Sequence, residues 1–122
     1  MGVLLVSKIP TIPKKYANQQ VIYRMPSGAK DKYGKQTQVD AIINNCVVQQ
    51  ETIYSGTNNG RQVVANAVIF LYSDVTTPIP KLDKTSQGNK IIFEGVEYTI
   101  QRIVDNRNPL NNEVWSYEVE VL

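Results

Sequence analysis

The chain has 122 residues, which is enough for one domain with its own core and too few for two. Apolar residues make up 42% and charged residues 20%, a composition that excludes a wholly disordered chain. The apolar runs, such as residues 63–72, are too short to cross a bilayer, so we expect no membrane segment.

The net charge of +2 is unevenly distributed along the chain. The residues up to Val39 include seven basic and one acidic side chain, whereas the remainder carries six basic and ten acidic side chains. Such polarity suits a nucleic-acid arm, and it also suits subunits or stacked rings that meet positive face to negative face. We favour the second interpretation, because the basic part lacks the dense arginine and aromatic interleaving of a nucleic-acid binder.

The amino-terminal residues predict an extended arm, followed by a first strand. Pro10 and Pro13, three residues apart, favour a polyproline-like course and remove two backbone donors, so residues 1–19 are expected to form an arm outside the core. "QVIYR", residues 20–24, is typical of a strand that ends at the turn signals Pro26, Ser27 and Gly28. A polar loop follows.

The middle of the chain predicts a hairpin with a strong turn. Residues 41–54, "AIINNCVVQQETIY", show no helical periodicity and indicate one long strand that is bent or bulged. "SGTNNGRQ", residues 55–62, contains Asn59-Gly60, a pair that readily adopts positive φ. "VVANAVIFLYS" then returns as a strand rich in β-branched and aromatic residues.

Residues 73–89, with Pro78 and Pro80, predict a long connection without periodic structure. Connections of this length are usually functional or disordered. At about 3.3 Å per residue, an out-and-back excursion of these 17 residues reaches nearly 30 Å. We therefore expect a loop able to project from the domain.

The carboxy-terminal third predicts a second hairpin and a final strand. In "IIFEGVEYTIQRI", Glu94-Gly95 forms a two-residue turn, and Val96, Tyr98 and Ile100 are expected on the core face. The final strand is expected to place alternate residues on the core face, namely Trp115, Tyr117, Val119 and Val121. A strand at the end of the chain needs pairing on both edges. The predicted fold is an all-β, small antiparallel barrel or sandwich over residues 20–122, with long loops and an extended amino-terminal arm.

The residues offer little for catalysis. The chain has no histidine, and we find no glycine-rich phosphate loop and no nucleophile motif. Cys46, the one cysteine, is interpreted as a small buried residue on a strand, and Glu118 and Glu120 as a solvated strand face. We therefore expect a protein that is not an enzyme and uses no cofactor or metal.

The tyrosines are interpreted in two groups. Tyr98 and Tyr117 are expected in the core, where an aromatic ring with a polar tip is common. Tyr33 and Tyr54 lie near turns and are expected at exposed contacts. Stacking on nucleic-acid bases is the alternative role for such residues.

The order of these parts resembles a known family. "KIPTIPKK", "VIYRMPSGAKDKYGKQT", "GRQVVANAVIFLYSDVTTP", "KIIFEGVEYTIQRI" and "EVWSYEVEVL" together resemble the minor capsid proteins of tailed phages that infect Gram-positive bacteria. The resemblance spans nearly the whole chain and implies the head-closure, or stopper, component of the head-to-tail connector. It implies a virion protein, made in the bacterial cytoplasm, that forms small β-barrels assembled as a ring, usually a hexamer.

The implied partners are other copies of the chain, the adaptor or portal-side connector protein, the tail terminator or tail tube protein, and packaged DNA held without sequence specificity. Three segments are assigned hypothetical roles, and the reverse assignment of the channel and ring-docking roles to the two loops stays open. The channel loop comprises Ser55, Thr57, Asn58, Asn59, Gly60 and Arg61; the ring-docking loop comprises Thr76, Thr77, Pro78, Ile79, Pro80 and Lys81; the neighbour-clasping arm comprises Ile9, Pro10, Ile12, Pro13, Lys14 and Lys15. Two alternatives stay open: a tail-side terminator or completion ring, and a nucleic-acid-binding β-barrel.

Overall fold

Six antiparallel strands close into a barrel in the computed structural model, which describes residues 13–30, 32–56 and 60–122. The order around the barrel is β1-β2-β3-β6-β5-β4. The strands are β1 Gln19–Lys30, β2 Gln36–Ser55, β3 Gln62–Tyr72, β4 Lys90–Phe93, β5 Val96–Arg107 and β6 Val114–Val121. Two short 3-10 helices, Lys14–Tyr16 and Lys84–Ser86, complete the described elements. The predicted all-β antiparallel fold is confirmed.

The barrel interior holds one apolar core to which every strand contributes. The alternation predicted for the last strand is confirmed in its second half, where Tyr117, Val119 and Val121 are buried. They pack with Ile43, Ile69 and Leu71 and with the other members of the cluster, Val21, Tyr23, Cys46, Ala67, Leu82, Ile91, Phe93 and Ile100. The free Cys46 is buried, as expected.

Strand β2 belongs to both halves of the barrel wall. Its first half pairs with β1, up to Asn44 opposite Gln20 and Cys46 opposite Gln19, and its second half, from Val47, pairs with β3. Between the two halves Asn45 has a φ of 59°, a left-handed conformation that asparagine tolerates better than most residues. The Asn45 side chain donates to the carbonyl of Ala17 across 3.0 Å. The predicted bent strand is confirmed, and its bend is tied to the chain segment that precedes β1.

The β4–β5 hairpin turns at Glu94-Gly95, as predicted. Both residues have positive φ, 50° and 80°, which is the combination required by the tight turn that matches strand twist. The expected core position of Val96 is wrong, because its side chain is 51% exposed while Tyr98 and Ile100 pack inward. Val96 directly follows the turn and forms the last pair of the β4–β5 ladder, opposite Phe93, so it lies at the rim of the barrel.

Strand β1 continues past the predicted turn at Pro26, Ser27 and Gly28. Pro26 still pairs with Gln38 and Lys30 with Gln36, and an irregularity in register lies between them where Gly28 has a φ of 83°. The turn signals therefore mark a bulge within the strand and not its end. Because β4 pairs only with residues 22–24 of β1, the far parts of β1 and β2 extend beyond the barrel as a two-stranded ribbon.

Residues 73–89 do not project. The segment runs from β3 to β4 along the barrel, and Val75 and Leu82 are buried. It is held to β2 by reciprocal backbone hydrogen bonds between Asn44 and Thr77, and it reaches β5 where the Gly88 amide donates to the Ile100 carbonyl across 2.9 Å. The expected excursion is wrong because these apolar side chains gain more by covering the core than by exposure.

Candidate interaction surfaces

The β2–β3 hairpin carries the predicted channel loop. Ser55 pairs with Gln62 at the end of the two strands, and Thr57, Asn58 and Asn59 lie outside the described residues. The Arg61 guanidinium lies over the ring of Tyr54, 4.1 Å from its centre. Such a cation–π contact keeps a positive charge at the base of the tip.

The same hairpin makes a close backbone turn. Gly56 has a φ of 101°, and a β-carbon on it would lie 2.6 Å from the carbonyl oxygen of Gly60. Glycine is therefore required at position 56 by both conformation and space. Gly56 and Gly60 thus lie close together at the end of two strands that continue directly into the barrel wall.

A groove of about 580 Å³, lined by both apolar and polar side chains, lies at the foot of this hairpin. Tyr54, Val63 and Leu122 line it and are 51%, 40% and 41% exposed. The remaining lining residues are Ile53, Ser55, Gln62, Val64, Gln101, Arg102 and Glu120. Arg102 and Glu120 form an ion pair of 3.5 Å, which supplies a polar rim. We call this site the hairpin groove.

One edge of β3 borders the hairpin groove without a neighbouring strand. The β3–β6 ladder ends at Ala67 opposite Val121. Leu122 then exchanges backbone hydrogen bonds with Thr99, at 2.8 and 2.9 Å. Within residues 13–30, 32–56 and 60–122, β3 residues 62–66 pair with β2 alone. An open edge of this kind is a template for an added strand.

Some residues of the predicted ring-docking loop are buried against the barrel, and others are exposed to solvent. Thr76 is 2% exposed, and its hydroxyl accepts from the Tyr72 amide and donates to the Asn45 carbonyl, at 2.9 and 2.7 Å. Ile79 packs against the core, and Pro80 is half-buried. Thr77, Pro78 and Lys81 are exposed. Thr76 therefore holds the segment in place, and the docking role remains a prediction for the exposed residues.

A second cleft, of about 520 Å³, lies between residues 81–87 and strands β5 and β6. Lys81, Lys84 and Arg107 line it together with Asp83 and Asp105. Asp83 caps the second 3-10 helix, accepting from the Thr85 hydroxyl and from its amide, and these hydrogen bonds lower the pKa of the Asp83 carboxyl. Asp105 is paired with Arg107 at 2.7 Å. The cleft thus carries intermixed opposite charges beside apolar lining from Leu82, Ile103, Val114 and Tyr117.

The predicted clasping arm is described only at its end. Ile9, Pro10 and Ile12 lie outside the described residues, whereas Pro13, Lys14 and Lys15 are exposed. Lys14 and Lys15 belong to the first 3-10 helix, and the Lys15 ammonium lies 5.1 Å from the centre of the Tyr16 ring. The chain is therefore anchored from Ala17 onward, and the clasping role remains a prediction.

Ionisable groups that the sequence analysis considered for chemistry have structural surroundings. Burial raises the pKa of the Cys46 thiol to about 11, so at neutral pH it is protonated and a poor nucleophile. Glu118 is half-buried and accepts from the Asn106 amide at 3.0 Å, so the strand face is less solvated than expected. No cluster of three metal-ligating side chains occurs in the part of the chain that the structure describes.

The outer face of β1 carries an ion-pair network. Arg24 bonds both carboxylate oxygens of Asp40 at 2.8 and 3.0 Å and reaches Glu97 at 3.1 Å. The hydrogen bonds from Arg24 lower the pKa of the Asp40 carboxyl. Beside this network Ile22 pairs with Ile42 and with Ile92, so three isoleucines lie in register across β2, β1 and β4.

Sequence reasoning missed the hairpin groove. Its walls come from four separate segments, residues 53–55, 62–64, 101–102 and 120–122, and the exposure of Tyr54, Val63 and Leu122 depends on where β6 ends relative to β3. The proximity of Tyr54 to a turn was the one available signal. No helix among the described residues has the length and apolar character needed to cross a membrane.

Comparison with known proteins identifies the family of this chain. Residues 13–121 match the Minor capsid protein family. The chain is 37% identical over 118 residues to the ORF5 protein of Lactococcus phage LL-H, an alignment that covers 94% of this chain and 99% of the relative. It is 39% identical over 99 residues to the ORF5 protein of Lactococcus phage mv4, covering 79% of this chain and 87% of that relative. On this ground, the chain belongs to the phage minor capsid protein family.

Proposed function

We propose that this phage minor capsid protein forms the head-closure, or stopper, ring between the portal or adaptor and the tail. The observation that carries the proposal is the β2–β3 hairpin, whose strands rise directly from a closed barrel and whose base holds Arg61 over Tyr54. A closed barrel is stiff enough to act as a wall element. A hairpin that is continuous with that wall can project its tip into a channel.

The proposed mechanism is steric. Hairpin tips from several copies converge on the axis, block the escape of packaged DNA, and swing aside when the particle ejects it. A cationic residue such as Arg61 attracts the phosphate backbone without reading base sequence. The mechanism involves no covalent chemistry.

Neighbouring rings are proposed to dock through the exposed part of residues 76–81 and through charge complementarity. The segment up to Val39 carries a net positive charge and the remainder a net negative charge, and we propose that these oppositely charged parts meet between stacked rings. The proposed partners are the adaptor or portal-side protein on one side and the tail terminator or tail tube protein on the other.

The test is a deletion of Asn58, Asn59 and Gly60 in the phage genome. Particles are expected to assemble with normal copy number of this chain and to lose packaged DNA. A matched deletion of Lys32, Tyr33 and Gly34 removes three residues from the tip of the other projecting hairpin and should leave DNA retention unchanged. Normal retention after the first deletion overturns the blocking role of this loop.

The position of the protein is tested separately by imaging intact particles. Density for a ring of this barrel between portal and tail supports the head-closure assignment. A ring at the tail side of the joint would instead identify a terminator or completion protein.

A further inference from the structure

We propose that the hairpin groove is the acceptor site for the arm of a second copy, whose residues 3–6 add as a strand along the open edge of β3. The inference rests on the proposed function, in which copies of the chain form a ring, and it identifies the contact that joins adjacent copies. The acceptor side is described by the structure, and the donor side is defined by sequence.

The acceptor site combines apolar side chains with an unpaired strand edge. Tyr54, Val63 and Leu122 are all large apolar residues with 40% or more of their surface exposed, and all three line this one groove. Next to them, the β3 edge at residues 62–66 extends past the end of the β6 ladder. A strand placed there gains backbone hydrogen bonds from the edge and side-chain burial from the groove.

The donor segment has the matching chemistry. Val3, Leu4, Leu5 and Val6 form the one run of four consecutive apolar residues ahead of the barrel. In an extended strand alternate residues point to the same side, so either Val3 and Leu5 or Leu4 and Val6 face the groove. The run carries no charge and no proline, which suits strand addition.

Chain length favours a donor from a neighbouring copy. The arm is anchored where the Ala17 carbonyl accepts from Asn45, and Tyr54 lies nine residues further along β2, about 30 Å away at 3.3 Å per residue. From Ala17 back to Val6 the chain covers at most about 31 Å: about 8 Å to Pro13, because residues 14–16 form a 3-10 helix with a rise of about 2 Å per residue, and about 23 Å over the next seven residues at full extension. The arm of the same copy would have to be almost straight along β2, whereas the arm of a neighbour meets no such limit.

The test is disulfide crosslinking in purified virions. One variant carries Leu5→Cys with Val63→Cys and another carries Leu4→Cys with Val63→Cys, and each is oxidised at pH 8 and run on a non-reducing gel. We expect a ladder of dimers and larger oligomers, stronger in one variant than in the other because adjacent strand residues face opposite sides. The native thiol Cys46 is buried and does not compete.

The matched control carries Leu5→Cys with Leu110→Cys, because Leu110 is an exposed apolar residue, 66% accessible, outside the groove. It should give no ladder. Absence of a ladder with Val63→Cys, or an intrachain product alone, overturns the inference even when the protein lies at the neck. If the crosslinked oligomers form but imaging finds the protein elsewhere in the particle, the arm contact is supported and the head-closure assignment is wrong.

A second measurement covers the case in which the cysteine variants do not enter virions. The purified full-length chain is compared with Leu4→Asp/Leu5→Asp by sedimentation over a concentration series, with melting curves to confirm folding. We expect self-association to weaken at least tenfold in the variant. Equal association of two equally folded proteins contradicts the proposed contact.

Discussion

The Thr76 hydroxyl donates to the backbone carbonyl of Asn45 across 2.7 Å and so ties residues 73–89 to the bend of β2. The same hydroxyl accepts from the Tyr72 amide, and the residue is buried. Replacing Thr76 by Val keeps the shape and leaves an amide and a carbonyl without this partner. Two such losses in a buried site cost about 1–3 kcal/mol of unfolding free energy, measurable by chemical denaturation. Thr77→Val, at an exposed side chain, should cost much less, and equal losses would contradict the assigned role of Thr76.

Tyr117→Phe tests how the long connection is fastened to β6. The Leu82 amide donates to the Tyr117 hydroxyl across 3.3 Å, and both residues belong to the core. Removing the hydroxyl leaves that buried amide without this acceptor and should lower the unfolding free energy by about 1–2 kcal/mol. Tyr16→Phe, at a 63% exposed ring, serves as the control and should leave stability unchanged.

Gly56→Ala tests the turn at the β2–β3 hairpin. The added β-carbon would lie 2.6 Å from the Gly60 carbonyl oxygen and would hold a residue with a side chain at a φ of 101°. We expect the hairpin strands to lose protection in amide hydrogen exchange, with a cost of about 1–3 kcal/mol. Gly88→Ala has a similar φ of 90° but meets nothing within 4 Å, so it isolates the conformational part and should cost less.

The pair formed by Arg24 and Asp40 predicts a pH dependence. Because Arg24 lowers the pKa of the Asp40 carboxyl in the folded state, the pair contributes stability above the ordinary carboxyl value of 3.8. That contribution is lost as pH falls below this value and through the lower folded-state pKa. Thermal unfolding of the wild type and Asp40→Asn from pH 7 to pH 2 should show a difference that shrinks with acidification. A difference that grows instead would contradict the pairing.

Cys46 predicts a difference in thiol reactivity between the folded and unfolded chain. Its side chain is fully buried and its thiol pKa is raised to about 11. A thiol reagent at pH 8 should therefore leave the folded protein unmodified and label one thiol per chain after denaturation. Val63→Cys, in the groove, should be labelled within the folded protein. Rapid labelling of Cys46 in the folded wild type would be inconsistent with its burial.

The local rules of strands and turns predicted much of this fold. Glu94-Gly95 identified its hairpin because two adjacent positive-φ residues suit a tight turn, and the mixed apolar and amide pattern around Asn45 indicated a bent strand. Pro26 and Gly28 misled, because the same residues that end a strand also occur in bulges and at open edges. The local sequence pattern alone cannot distinguish the end of a strand from a bulge within it.

The long connection and the groove depend on contacts between distant segments. Val75 and Leu82 have no periodic neighbours in sequence, so their burial could be seen only once β2 and β6 were in place. The hairpin groove exists because the β3–β6 ladder ends at Ala67 opposite Val121, which leaves β3 residues 62–66 without a partner on β6. The exposure of Val63 is therefore a property of relative strand lengths, which no single segment encodes.

Strand β2 has a mechanical consequence. Its 20 residues run without interruption from the tip of the β1–β2 ribbon to the base of the β2–β3 hairpin, a contour of about 65 Å at 3.3 Å per residue. The β1–β2 ribbon and the β2–β3 hairpin are thus joined by one continuous strand, which bends at Asn45. The chain of covalent bonds between the two projections therefore lies within one strand and crosses no loop.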